Sequence, residues 1–137
     1  MHIISIYPQY VNAILKGQKL VECRKSALGL AQGDLLQLYA TAPVKAILGQ
    51  ARVLDVHRGA PEELWEQFEH RTCVKKDDYF AYYAGKKEAV LLALTEVRRH
   101  DAPVLLDHLR GVEPRFSPPQ TARRLSAALQ ALCAATH

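Results

Sequence analysis

Cysteine pairs, metal-binding patterns and long apolar runs are missing from this chain of 137 residues. The three cysteines, at positions 23, 73 and 133, are odd in number and have no Cys-x-x-Cys spacing. That pattern argues against a disulfide framework or a zinc ribbon and is typical of a reducing cytoplasm. The six histidines show no His-x-x-x-His or His-Glu-x-x-His spacing, so we expect no metal site and assign no cofactor.

The start of the chain and its hydropathy give no sign of export or of a membrane segment. Residues 1–5 lack a basic region followed by a long apolar run. No apolar segment approaches the ~20 residues that span a bilayer. We therefore expect a soluble, cytoplasmic protein that does not enter a membrane.

The length of the chain bears on the number of domains, and its net charge bears on the class of partner. A chain of 137 residues is expected to form one domain, here residues 1–137. The net charge of +4 leans towards polyanionic partners, although many proteins of this charge bind no nucleic acid. Charge alone therefore leaves the class of partner open.

Apolar periodicity predicts the element order β-α-β-β-β-α-α-β-α-α. We expect helices that begin near Pro8, Pro61, Asp77, Asp101 and Thr121. The connections among the second, third and fourth strands are too short for parallel crossovers, so these strands should pair antiparallel. The pattern favours an α+β fold, namely a small, mostly antiparallel β-barrel decorated by helices. Residues 121–135 are predicted to be a C-terminal helical extension.

The segment Gly17-x-Lys19-x-x-Glu22-x-Arg24 places three charged residues where a helix gives way to a strand. Alternation along a regular strand would put Glu22 and Arg24 on one face and Lys19 on the other. Lys19 can join the other two only if the strand begins with a bulge or if Lys19 precedes the regular pairing, and we predict such an irregularity. Two interpretations stay open at this point: a pocket for a polar ligand, or a salt-bridge cluster that ties the first helix to the barrel.

The same segment, with the residues before it, resembles the start of the ASCH domain family of the PUA-like superfamily. The matching stretches are Ser5–Tyr10 and Ile14–Lys25, and G-x-K-x-x-E-x-R is the hallmark of that family. Further matches are Tyr39–Val44, the tyrosines around Tyr79 and the segment 117–120. The resemblance implies a PUA-like barrel with a cleft beside the motif and an RNA or modified-nucleoside ligand. Some members of the family are amidohydrolases that act on acetylated cytidine, and others are ribonucleases or RNA-binding modules.

Six residues are therefore candidates for ligand binding, and all of them lie in the stretches that carry the resemblance: Lys19, Glu22, Arg24, Tyr39, Thr41 and Tyr79. If the protein is an enzyme, Lys19 and Glu22 would be its acid and base groups. The amidohydrolase branch has a nucleophilic threonine where this chain has Glu22, so Thr41 is the nearest candidate hydroxyl. Tyr10 and Tyr82 are expected to pack inward instead.

Three hypotheses on function follow from these residues. The first is an ASCH domain that binds RNA or a nucleotide-like ligand at Lys19, Glu22 and Arg24. The second is a hydrolase of a modified nucleoside or of RNA at the same cleft. The third is a protein-interaction domain whose terminal helix, 123–135, packs on a partner or on a second copy. The sequence leaves the oligomeric state open.

Overall fold

The computed structural model describes residues 1–27 and 29–135. Within these ranges the chain forms six strands and five helices. In chain order they are β1 (His2–Ile6), α1 (Pro8–Leu15), β2 (Val21–Arg24), β3 (Leu35–Ala40), β4 (Ala46–Gly59), α2 (Pro61–Thr72), α3 (Lys76–Tyr82), β5 (Ala89–Leu105), α4 (Leu106–Val112), β6 (Ala122–Arg124) and α5 (Ala127–Ala134). None of the described helices is long and apolar enough to cross a membrane.

The six strands form a single sheet in the order β2-β5-β4-β3-β1-β6. Neighbouring strands are antiparallel except for β1 and β3, which run parallel. The sheet curls into a half-barrel decorated by the helices, which confirms the predicted α+β, mostly antiparallel architecture.

One predicted pairing is wrong, because β2 does not pair with β3. It pairs with the first part of β5 instead, with Glu22 opposite Leu92. The connection 25–34 is not a tight hairpin: Ala27 and Leu30 within it are buried in the core, so the segment packs under the sheet. Spacing along the chain could not reveal this, because a loop that buries its own apolar side chains can separate two strands that look adjacent.

Helices cover both faces of the sheet. One core cluster joins α1 to β1, β3, β4 and β5, a second surrounds α4 and α5, and a third lies under α2 and α3. Successive residues of one strand belong to different clusters: Ile3 lies in the second and Ile4 in the first, while Leu91 lies in the third and Leu92 in the first. This two-sided burial explains why the apolar run of β5 does not alternate with polar residues.

Gly49 marks a close approach between the sheet and the end of α1. The pairing of β4 with β5 changes register between Ile47 and Gly49. A Cβ atom on Gly49 would lie 2.5 Å from the carbonyl oxygen of Arg98 and 2.6 Å from Cδ2 of Leu15. A β-bulge and a close backbone contact thus coincide at this glycine. It lets the last residue of α1 sit against the sheet just before Lys19.

The C-terminal region departs from the prediction at two points. Residues 101–105 continue β5, with Val104 paired to Ile47, so Asp101 does not begin a helix and α4 starts at Leu106. Thr121 is followed by β6, which pairs with β1, and the last helix is capped by Ser126, whose hydroxyl accepts a hydrogen bond from Leu129 N–H at 3.3 Å. In both places pairing with a distant strand overrides a local capping signal. The helix is therefore shorter than the predicted range 121–135.

Candidate functional site

The end of α1 fixes how the motif enters the sheet. Gly17 adopts a left-handed backbone with φ of 77°, and its N–H donates to the carbonyl of Ile14 at 3.0 Å. The N–H of Gln18 donates to the carbonyl of Ala13 at 2.9 Å, which completes a Schellman cap. Glycine is favoured at such a position because it has no Cβ atom. Lys19 therefore lies between this cap and the first residue of β2, outside the regular strand alternation.

The three charged side chains of the motif meet, as the predicted irregularity requires. Lys19 Nζ lies 3.5 Å from Oε1 of Glu22, and Nη1 of Arg24 lies 3.2 Å from Oε2. The same guanidinium nitrogen donates to the backbone carbonyl of Ser5 in β1, also at 3.2 Å. Each oxygen of one carboxylate thus faces a different cation, and Arg24 links β2 to β1.

Lys19 is more deeply buried than Glu22 or Arg24, since only 1% of the residue is exposed. Its ammonium donates a hydrogen bond to the carbonyl of Thr72 and lies 4.9 Å from the centre of the Tyr10 ring. Thr72 is the last residue of α2, so its carbonyl belongs to the negative end of that helix. A buried ammonium is costly unless it is paired and hydrogen-bonded, and here it is both.

A cleft of about 620 Å³ opens beside this cluster. Its walls come from the end of β1, from α1, from β2, from α3 and from residues 119–121. A separate cavity of about 320 Å³, around Leu54, His57 and Phe68, shares no lining residue with it. The cleft is thus the concave surface that the charged motif faces.

Five of the six predicted ligand-binding residues line the cleft, and Tyr39 does not: Lys19, Glu22, Arg24, Thr41 and Tyr79 are its members. Tyr39 is 2% exposed and packs among Ile47, Val104 and Leu109. The pairing of β3 with β4 shifts register next to Tyr39, between Leu38 and Tyr39. Because side-chain facing depends on register, the sequence could not show which way this ring points.

Tyr79 forms a wall of the cleft rather than an open contact. It is 1% exposed, and its hydroxyl donates to the carbonyl of Pro61 at 2.8 Å. Burial is the main reason why its pKa lies above the ordinary value for tyrosine. The hydroxyl therefore stays protonated and acts as a structural donor.

Tyr10 and Tyr82 were expected to pack inward. Tyr10 does pack against the first core cluster, and both residues also line the cleft. Tyr82 is 38% exposed, and Lys25 Nζ lies 4.6 Å from the centre of its ring. Burial raises the pKa of Tyr10, and the carboxylate of Asp78 raises it further. Asp78 also lines the cleft and was not predicted. Its spacing of four residues from Tyr82 along α3 was the available signal, since such pairs share a helix face.

Cys23 lies in the motif and lines the cleft, but its thiol is not activated. Desolvation by burial raises the pKa of Cys23 to about 12, with smaller opposing effects from nearby cations. A thiol of this kind stays protonated at neutral pH and is a poor nucleophile. Cys23 therefore fills space on β2, where it packs against the third core cluster.

The match to a known family covers most of the chain, including every residue that lines the cleft except 119–121. Residues 2–116 match the family described as Domain of unknown function (DUF365). The chain belongs to this family. An "ASCH domain-containing ribonuclease" of Zymomonas mobilis is 29% identical over 119 residues, which cover 87% of this chain and 80% of that protein.

Solved structures agree with that relationship. The crystal structure of ASCH from Zymomonas mobilis matches with a TM-score of 0.92 at 29% identity, over 99% of this chain and 95% of that one. The N-terminal domain of McrB from Staphylothermus marinus matches with a TM-score of 0.63 at 13% identity, over 99% and 93% of the two chains, which is a likeness of fold alone. The protein is an ASCH domain protein with the PUA-like fold, as the motif suggested.

Proposed function

We propose that this ASCH domain binds RNA or a nucleotide-like ligand in the cleft beside Lys19, Glu22 and Arg24. The observation that carries the proposal is the charge balance of the cluster. Two cations share one carboxylate, so one positive charge is in excess at the wall of the cleft. A phosphate is the natural complement, because a guanidinium presents donors in a planar fork that matches its oxygens.

The size and the remaining walls of the cleft support a nucleotide over a simple anion. A volume of about 620 Å³ is within the usual range for small-molecule sites. Tyr82 offers a partly exposed ring on which a base can stack. The similarity to an ASCH domain-containing ribonuclease points to the same class of ligand.

Binding of a short single-stranded RNA, followed by fluorescence anisotropy at several salt concentrations, tests the proposal. The affinity should fall steeply as salt rises, because phosphate contacts release counterions. Arg24→Gln should weaken binding about tenfold and reduce the salt dependence. Arg58→Gln is the matched control: Arg58 pairs with Glu88 at 3.7 Å and does not line the cleft. Binding that ignores salt, or an equal loss in both variants, would refute the proposal.

A ribonuclease is the second candidate, and the relative of that name favours it. In such a reaction a base removes the proton of a ribose 2′-hydroxyl, and the oxygen attacks the adjacent phosphorus. The 5′-oxygen leaves as it takes up a proton, which yields a 2′,3′-cyclic phosphate and a 5′-hydroxyl end. Glu22 and Lys19 are the groups that would exchange these protons. Arg24 would stabilise the charge that develops on the phosphate oxygens.

Glu22 keeps acceptor capacity for such a role although both of its oxygens face cations. A carboxylate has about four lone-pair sites, and Lys19 and Arg24 occupy one on each oxygen. Hydrolysis of acetylated cytidine is less well supported, because Glu22 replaces the nucleophilic hydroxyl of that branch. Thr41 brings a hydroxyl to the cleft, at the turn that follows β3.

The hypothesis that the terminal helix binds a partner or a second copy finds little support in the packing of α5. Three larger apolar residues of the C-terminal region are covered within the chain, since Leu125, Leu129 and Cys133 are each no more than 3% exposed. They pack against Leu109 of α4 and the buried ring of Phe116. We therefore place the proposed binding activity in the cleft and not on α5.

A further inference from the structure

Helix α3 contributes a second set of functional groups to the wall of the cleft, and this set is acidic and aromatic rather than cationic. Asp78 and Tyr82 lie four residues apart, which puts them on one side of the helix, and both line the cleft. One supplies a carboxylate and the other a partly exposed aromatic ring. Neither is part of the G-x-K-x-x-E-x-R motif.

The carboxylate of Asp78 is more exposed than that of Glu22 and is not engaged by a cation among the described residues. Glu22 is 5% exposed and is engaged by two cations, whereas Asp78 is exposed. No lysine, arginine or histidine within residues 1–27 and 29–135 reaches Asp78 within 4.0 Å. Asp78 on α3 and Tyr10 on α1 both line the cleft, so the carboxylate lies at the part of its wall that these two helices form.

Helix stability alone does not require that Asp78 line the cleft. Asp77 and Asp78 both lie in the first turn of α3, where a carboxylate interacts favourably with the backbone N–H groups. Asp77 provides that interaction without lining the cleft. An unpaired carboxylate at the wall of an anion-binding cleft also repels phosphate, so a compensating contact with the ligand is expected.

Tyr82 places an aromatic surface near that carboxylate. Its ring is contacted by the ammonium of Lys25 at 4.6 Å from the ring centre. Lys25 itself lines the cleft next to Arg24. A nucleotide with its phosphate at Arg24 and Lys25 would thus have its base within reach of α3.

We infer that α3 is the base-reading wall of the cleft, with Tyr82 stacking on a base and Asp78 accepting a hydrogen bond from its exocyclic amino group. This inference rests on the proposed function. A carboxylate accepts from the amino group of cytosine, whereas the matching position of uracil is a carbonyl oxygen that it repels. The cleft should therefore prefer amino-bearing bases to uracil.

Oligocytidylate and oligouridylate of equal length, titrated at one salt concentration, test the inference. We expect the protein to bind oligocytidylate about tenfold more tightly. Asp78→Asn should bring the ratio of the two affinities close to one. Asp77→Asn makes the same change of charge one residue away and should raise both affinities alike, leaving the ratio unchanged. Tyr82→Leu should lower the affinities for both RNAs about tenfold, because it removes the stacking ring, whereas Tyr82→Phe keeps the ring and should leave them unchanged.

The outcomes separate this inference from the proposed function. If neither RNA binds, the proposed function and this inference are both refuted. If both RNAs bind in a salt-dependent way with equal affinity, the base-reading role is overturned while the RNA-binding cleft stands. The same holds if Asp78→Asn and Asp77→Asn shift the ratio equally. Because the ratio compares two ligands on one protein sample, partial unfolding of a variant does not alter it.

Discussion

Lys19 Nζ lies 3.5 Å from the carboxylate of Glu22, and the two side chains are 0% and 7% exposed. Arg24 completes the cluster from the other side of that carboxylate. These three residues join the end of α1, β2 and β1, and they line the cleft with one net positive charge. If the cleft binds the proposed ligand, stability and ligand binding are coupled in this region.

Glu22→Gln should lower the free energy of unfolding by about 3–5 kcal/mol, because it leaves two largely buried cations without their counter-charge. Urea unfolding measures the loss. Lys19→Met in the same background should recover part of it, since one of the unpaired charges is then gone. A double variant whose loss equals the sum of the two single losses would show that the contact is not energetically coupled.

Gly49→Ala should destabilise the protein by roughly 1–3 kcal/mol, and by more if the strands cannot separate. The new methyl group would meet the carbonyl oxygen of Arg98 at 2.5 Å, and backbone cannot move aside cheaply. Gly111→Ala is the control, because a Cβ atom there has nothing within 4 Å and the residue lies in α4. That variant should be neutral or up to about 1 kcal/mol more stable. Equal midpoints in thermal or urea unfolding would contradict the account of the bulge.

Stability should fall as the pH drops through the range just below 6.5, in part because of His2. Burial is the main cause that lowers the pKa of His2, so in this range the unfolded chain binds more protons than the folded one. The stabilisation that the neutral form of His2 gives the folded state is therefore fully present above pH 6.5. It is lost as the pH falls towards the lowered pKa of His2 in the folded protein. His2→Leu should flatten the plot of unfolding free energy against pH. His70→Gln, at a side chain that is 93% exposed, should not.

If the cleft cleaves RNA, Lys19→Met should reduce the rate by roughly 100-fold or more, the usual range for loss of an acid–base group. The products should end in a 2′,3′-cyclic phosphate, and a 2′-deoxy substitution at the cleaved position should block the reaction. Lys16→Met, at an exposed lysine next to the end of α1, serves as the control and should keep full activity. Cleavage that persists in Lys19→Met would indicate another site or a contaminating nuclease.

The sequence predicted the part of the site that depends on local rules. Strand alternation predicted that Lys19 joins Glu22 and Arg24 only through a bulge or by preceding the regular pairing, and the structure has the second arrangement. The α+β, mostly antiparallel architecture also followed from apolar patterns and connection lengths. These features are set by neighbours within a few residues.

The features that were missed depend on contacts between distant segments. Three residues, 122–124, form β6 only because β1 has a free edge beside them. Tyr39 turns into the core next to a register shift, and Tyr82 reaches the cleft because of how the short helix α3 docks. Neither the register nor the docking is encoded in residue spacing, so the positions of Tyr39 and Tyr82 could not be assigned from the sequence.

Mapping of RNA contacts by amide chemical shifts in NMR tests the RNA-binding cleft most directly. On addition of a short single-stranded RNA, we predict the largest shifts at 22–25, 41, 78, 79 and 82, which line the cleft around Lys19. The amides around the separate cavity at Leu54, His57 and Phe68 should stay unchanged. Shifts confined to that cavity or to α5, with the cleft amides unmoved, would contradict the assignment of RNA binding to the charged motif.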